Sequence, residues 1–591
     1  MKRSFSGIAV WLLSLMLVHG GGHWAGPIPT PNAVTVGHMQ LLTDGSVLCN
    51  SFGGSNWFRL KPGSAGGYTN GTWGNFVNGI WSTNASVAPM HDGRGYFGSA
   101  VLRDGRLIVA GGEYGAYEKS VTNYPNQRQT SEIFDPVANT WTKTPVPADI
   151  ATALEFDVST GAPQWGAGVV VYDGGFVEPS AMLLPNGDWL VAPAYVGQTL
   201  IYNVTSNLWQ MGPAHLANKA SLNETDWVKL ADDSILAIDK DSTPNTAERY
   251  IPELNRWIRD ADPIAQITYL NEYGPAILLA DGKALFMGAN GTNLYYTPSG
   301  STNVGTWTLA PKSPGNLVAN DNPAVSLTSG RVLTVLSPIN LTYDKGHGSH
   351  QFEFVEFDPV QKQWNSIPAP SGCETNEITD PTSMLALPDG TALFSDSSTP
   401  RLYVFVPDDP PLAAGKPTLL NITAAADQTR YHITGKLLNG LNTGAVYGDE
   451  GQMDSNFPII RLKNGANVFY CRTVNRSSTG VMTGDAILSA DFTQPLQLPT
   501  AVYSLSVVAN GIASDPISFK GPAWVDFNYS SQSPQSGTFD NPFSTLAQAT
   551  NAVSAGGAIF LKPGTSAETG TLSKPMEIRA AGGTVTIGSG H

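Results

Sequence analysis

Seven times along this chain an apolar run reaches a two-residue turn, usually Asp-Gly, and leaves as a second apolar run. Clear copies are SAVLRDGRLIVAGG (Ser99 to Gly112), SAMLLPNGDWLVAP (Ser180 to Pro193), PAILLADGKALFMG (Pro275 to Gly288) and SMLALPDGTALFSD (Ser383 to Asp396). Weaker copies turn at Asp44-Gly45, Asp232-Asp233 and Ser329-Gly330. Asp-Gly and Asn-Gly suit two-residue hairpin loops, in which both central residues take φ > 0. A chain that repeats one hairpin seven times has to stack those hairpins side by side or around a ring.

Each hairpin is followed by a third strand and then by a tryptophan strand trailing into prolines. SEIFDPVANTWTKTPVP and FVEFDPVQKQWNSIPAP show this, with Trp141 and Trp364, and Trp209, Trp257 and Trp307 fill the same slot. Four-stranded repeats of roughly 50 residues predict a kelch-type β-propeller, here of seven blades over residues 23–411. The seventh repeat lacks its tryptophan strand, because RLYVFVPDDPP runs straight into a linker. The missing piece stands at the other end, where Trp24-Ala25-Gly26-Pro27-Ile28-Pro29 matches WTKTPVP. The N-terminal strand is therefore expected to complete blade seven and remove an exposed sheet edge.

Residues 416–520 alternate like strands without a repeat and predict an immunoglobulin-like antiparallel β-sandwich. After Gly521-Pro522 the composition changes. Within residues 523–591, GTFDNPFSTLAQATNAV predicts one helix and AIFLKPG, MEIRA and TVTIG short β-segments. This piece resembles the opening coil of a right-handed parallel β-helix of the pectate-lyase type. The expected fold class is all-β: propeller, sandwich and a short β-helix-like tail.

Charge and cysteine content narrow the partners. With 33 Lys and Arg against 48 Asp and Glu the net charge is −15, which excludes a phosphate-backbone partner. Lys2 and Arg3, the apolar run Ile8 to Val18 and the small residues Gly20 to Gly22 read as an export signal over residues 1–22. The mature chain is expected outside the cell or in a periplasm, and no later run is apolar enough to span a membrane. Cys49, Cys373 and Cys471 allow at most one internal bridge; a Cys373–Cys471 pair and free thiols are both open.

The stretch GRGYFGSAVLRDG (Gly93 to Gly105), the hairpins and the closing LPTAVYSLSVVANGIASDPISF (Leu498 to Phe519) together resemble the galactose oxidase and glyoxal oxidase family. The resemblance covers Trp24 to Phe519, and it extends to the early-set domain that follows the propeller in that family. It implies copper-radical oxidases of alcohols or aldehydes that reduce oxygen to peroxide. Their copper is held by two tyrosines and two histidines, one tyrosine being cross-linked to a cysteine. The cross-linked tyrosine falls on Tyr96. The Tyr-His pair falls on Asp380-Pro381, and the second histidine on Arg472 in Arg472-Thr473-Val474-Asn475. No cysteine stands near Val36 to His38, where the cross-link belongs; Cys49 lies on the strand after the turn. Copper(II) wants a tetragonal set rich in nitrogen and oxygen, so no copper is expected, and His38 is the sole nearby replacement ligand.

Nine or ten residues before the turns stand Val36, Tyr96, Glu178, Glu224, Glu272-Tyr273, Asp321 and Asp380. Such positions converge on a propeller axis. The carboxylates at Glu178, Glu224, Glu272, Asp321 and Asp380 read either as solvated strand ends or as a site for Ca²⁺. A third reading places Arg472 among them as a guanidinium plug paired with Asp380 or a neighbour. These residues, with Tyr96 and Tyr273, form the candidate binding set. Two further groups carry chemistry: His347-Gly348-Ser349-His350, with metal-binding spacing, and His91-Asp92 beside Tyr96, suited to a general base. Three functions follow. The chain is expected to be a non-catalytic module binding polysaccharide or another cell-surface ligand. The alternatives are an oxidase with a rearranged copper site and a structural protein-interaction scaffold.

Overall fold

The seven turns share one geometry, and it differs from the expected one. In blade one the Leu42 N–H donates to the Ser46 carbonyl (2.8 Å) and the Gly45 N–H to the Leu42 carbonyl (2.9 Å). The same pair of bonds recurs from Leu102, Leu184, Leu230, Leu279, Leu327 and Leu387. Only the last turn residue is left-handed: φ is 78° at Gly45, 83° at Gly105 and 64° at Asp233. These are three-residue loops, a type I turn closed by a left-handed bulge residue, rather than two-residue turns with both centres at φ > 0. The middle residue is polar for a separate reason. Its side-chain oxygen accepts the N–H two residues on, as Asp44 does from Ser46 (3.0 Å), Asn186 from Asp188 (3.0 Å) and Asp281 from Lys283 (3.1 Å).

The computed structural model describes residues 21–112, 131–147, 179–193, 197–216, 225–240, 242–269, 273–339, 351–376, 379, 382–425, 430–442, 455–531 and 533–588. Residues 1–20 of the expected export signal, and the His347–His350 group, lie outside them. Seven antiparallel sheets form a seven-bladed propeller. Blade two runs Gly98–Val101, Leu107–Ala110, Ser131–Asp135 and Thr140–Lys143, and the other blades repeat that order outward. Blade one adds an outer strand, Ile80–Ser82, and blade six a short one, Leu317–Val318. Blade seven takes its outer strand from Gly22–Pro29, paired with Arg401–Pro407 so that Trp24 faces Phe405. The ring is closed by the chain's own beginning, as the Trp24 segment predicts.

Beyond the propeller, eight strands from Thr418–Ala424 to Ile517–Lys520 form one antiparallel ladder around a shared core that includes Ile433, Leu462, Phe492 and Tyr503. After it Ala523–Val525, Gly557–Leu561 and Met576–Ala580 pair in parallel, and so do Gly564–Ser566 and Val585–Ile587. The expected helix spans Leu546–Ala552, where Thr545 and Gln548 form a capping box. No described helix is long and apolar enough to cross a membrane.

Candidate functional site

The innermost strands begin at one mouth of the ring and turn back at the other. Tyr96 (φ 48°) and Asp321 (φ 44°), at the first mouth, have left-handed backbones without being glycine. They occupy equivalent places, each nine residues before its turn residue, Gly105 and Gly330. Holding an ordinary residue there costs about 1–3 kcal/mol, an expense that clusters at functional positions. The Tyr96 ring is partly exposed and meets Phe52 edge-on, with centroids 5.1 Å apart and planes at 76°.

The loop leading to Tyr96 is tied to one buried carboxylate. Glu132 accepts from His91 Nδ1 (2.6 Å), from the backbone N–H groups of His91 (2.9 Å) and Asp92 (3.2 Å), and from Arg94 (3.0 Å). Arg94 also donates to the Gly111 carbonyl (2.7 Å) and is fully buried. Its pKa is lowered by that burial, which the Glu132 charge opposes. The His91 side chain stays 49% exposed, so its imidazole is presented to solvent in a fixed orientation.

Tyr273 does not present itself to the mouth. It is fully buried, and its hydroxyl accepts the Asp226 N–H at 2.8 Å. Asp226 was not a sequence candidate, yet it is fully buried and neither carboxyl oxygen completes a hydrogen bond among the described residues. Burial, reinforced by the Asp321 charge, raises its pKa well above the ordinary carboxylate value. Nothing in the sequence marked it, because it falls in the strand pattern just before Trp227. Val36 is buried at the seam with blade seven, where its carbonyl accepts from Ser395 Oγ (2.6 Å). Glu178, Glu224, Glu272 and Asp380 lie outside the described residues. Among the described residues no three His, Cys, Asp or Glu side chains converge as a metal site.

His38 serves the seam between blades one and two. Its Nε2 lies 2.9 Å from Gln40 Nε2 and 3.2 Å from Ser99 Oγ, with its ring 4.4 Å from that of Phe97. Burial pushes its pKa down to about 3, so it is a neutral acceptor with its lone pair already engaged.

Arg472 stands elsewhere than the plug reading places it. On the strand Asn467–Val474 it donates through Nη2 to the Asp104 carbonyl (3.0 Å), in the blade-two turn at the opposite mouth from Tyr96 and Asp321. The guanidinium that reaches the end of an inner strand is Arg476. It donates to the Val101 carbonyl (2.7 Å), stacks over Phe457 at 5.0 Å and is fully buried, which lowers its pKa to about 10. Thr479 follows with a bond to the Leu184 carbonyl (2.6 Å), and its own carbonyl accepts from Lys229 Nζ (3.1 Å). The loop after the strand, rather than the strand itself, carries the cation inward. Cys49, Cys373 and Cys471 are free thiols, so the Cys373–Cys471 bridge is not formed. Cys471 packs in the core of the second domain and Cys373 against that of blades five to seven.

Copper does not fit these donors. A partly exposed tyrosine, an imidazole whose lone pair is taken and a guanidinium at the far mouth do not make a tetragonal nitrogen and oxygen set. No family model matches the chain, and no curated protein matches it. Among solved structures it is similar in fold to a fungal alcohol oxidase of the AA5 family in complex with copper. That similarity has 12% identity and a TM-score of 0.49, over 85% of this chain and 99% of that one. A virginiamycin B lyase from Staphylococcus aureus matches at 10% identity and a TM-score of 0.39, over 65% of this chain and 99% of that one. At such identities neither substrate nor cofactor passes from those proteins to this chain.

Proposed function

We propose that this chain is an exported, non-catalytic binding protein that reads a polysaccharide or another polyhydroxylated cell-surface ligand at the Tyr96 mouth of its propeller. The observation that carries this reading is the Phe52–Tyr96 pair. Two aromatic rings, one of them 39% exposed, sit edge-to-face at the mouth, and Tyr96 is held on a left-handed, costly backbone. Ring faces take the apolar faces of a sugar, while His91, fixed by Glu132, supplies a polar contact in the same loop.

A glycan array followed by calorimetry on the best hits tests it. The Phe52→Ala/Tyr96→Ala double variant is expected to lose the binding while keeping the unfolding temperature. An array without hits, or affinity unchanged in the double variant, removes the reading. Peroxide release from alcohols or aldehydes after copper loading would instead establish the oxidase alternative.

A further inference from the structure

Where blades six and seven turn back against the second domain, a cavity of ≈ 450 Å³ opens at the mouth opposite Tyr96. Thr328, Asp389 and Thr391 line it from the two turns, Asp409 and Lys416 from the connecting segment, and Arg461 from the second domain. Arg461 lies on the strand Ile459–Asn464, two residues after Ile459, which packs into the propeller cluster. Alternation along the strand therefore aims Arg461 at the propeller as well.

The other charges around the cavity are engaged. Lys416 pairs with Asp515 (2.5 Å) and Asp409 with Arg331 (2.9 Å). Asp389 accepts from the Thr391 N–H (3.2 Å) and hydroxyl (2.6 Å). Arg461 differs, since its guanidinium has no hydrogen-bond or ion-pair partner among the described residues. A guanidinium carries five donors in a planar fork that matches a carboxylate with two parallel bonds. The carboxylates of Asp389 and Asp409 in the same walls repel a dianion and so favour a singly charged ligand over a phosphate. Threonine hydroxyls and the Asp389 carboxylate are partners for ligand hydroxyls. The volume falls in the range of small-molecule pockets.

We propose that this interdomain cavity binds a small hydroxylated carboxylate, a sugar acid of the uronate class. Arg461 clamps its carboxylate, and Asp389 and Thr328 take its hydroxyls. The ligand bridges the propeller turns and the second domain, so it stabilises their contact by mass action. The site is separate from the Tyr96 mouth, and the two proposals stand or fall independently.

Calorimetry on the full chain with galacturonate and glucuronate, against galactose and acetate as controls, tests it. One of the uronates is expected to bind and to raise the unfolding temperature, with both controls weaker by about tenfold or more. Arg461→Gln should weaken that uronate by about tenfold or more, and Arg461→Lys should recover only part of the loss, because lysine keeps charge without the fork. Uronate binding unchanged in Arg461→Gln, or no uronate binding by the folded wild type, overturns the proposal. Arg461-dependent binding of inorganic phosphate alone overturns the carboxylate assignment.

Discussion

Trp24 donates its indole N–H to the carbonyl of Pro368, 344 residues away, at 2.8 Å. The bond belongs to a series running around the ring. Trp141 donates to the Ala88 carbonyl (2.9 Å), Trp209 to Thr144 (3.0 Å), Trp307 to Ala261 (2.7 Å) and Trp364 to Pro311 (3.3 Å). Trp73 joins it by donating to the Pro29 carbonyl (2.8 Å), at the end of the closing strand. In six of the seven blades the outer-strand tryptophan thus clamps the segment that trails from the blade before it; in blade four the buried Trp257 indole N–H makes no such bond among the described residues. The N-terminal strand both receives a clamp, at Pro29, and supplies one, through Trp24.

Opening this closure should be expensive. Trp24→Ala is expected to cost about 2–4 kcal/mol, since its ring also packs on Phe354 (4.8 Å) and Phe405 (5.2 Å). Deleting residues 24–31 should lower the unfolding temperature further than Trp24→Ala. Thermal unfolding checks both, and an unchanged transition in the deletion would mean that the strand does not close the ring.

The blade-one turn carries a pH signature. Arg59 is buried and bonds Asp44 (2.5 Å), Ser46 Oγ (2.7 Å) and Asn75 (3.1 Å). Burial works against the Asp44 carboxylate, but the Arg59 charge and the Ser46 bonds outweigh it and hold its pKa below the ordinary value. A depressed folded pKa contributes stability above the unfolded pKa of about 4 and loses it as pH falls through the folded value. Asp44→Asn should therefore cost about 3 kcal/mol at neutral pH and progressively less below about pH 4. Denaturant titrations at a series of pH values would show this, and a cost that does not fall in acid would argue against it.

The two arginines of the second domain should separate by mutation. Arg476→Ala removes a fully buried guanidinium, its bond to Val101 and its stacking on Phe457, and should cost about 2–4 kcal/mol. Arg472→Ala removes one side-chain bond to the Asp104 carbonyl and should cost about 1 kcal/mol. Equal losses in chemical unfolding would contradict the placement of Arg476, rather than Arg472, against the inner strand of blade two.

Metal analysis of the purified protein, exposed to copper and calcium and then desalted, is expected to show no stoichiometric copper. Retention of about one copper per chain would mean that donors other than Tyr96 and His38 complete a tetragonal set. Calcium alone would point to the carboxylates at Asp321 and its counterparts in the other blades.

Local chemistry wrote the blades into the chain. A Leu, a polar residue and a glycine in fixed order specify a hairpin, and an outer tryptophan followed by prolines specifies the clamp. The number of blades and the closing role of Trp24 could therefore be read without coordinates. The turn type could not, because Asp-Gly satisfies both a two-residue loop and a type I turn with a bulge, and only the ladder register chooses between them. Tyr96 was legible by its spacing from Gly105. Its left-handed backbone and the burial of Tyr273 and Asp226 were not. Each depends on which strands of neighbouring blades pack against it. The replacement of Arg472 by Arg476 at the ring, and the solitary Arg461 in the interdomain cavity, rest on how two separately folded domains meet. No pattern within either segment encodes that contact, since it arises from surfaces brought together only when both have folded.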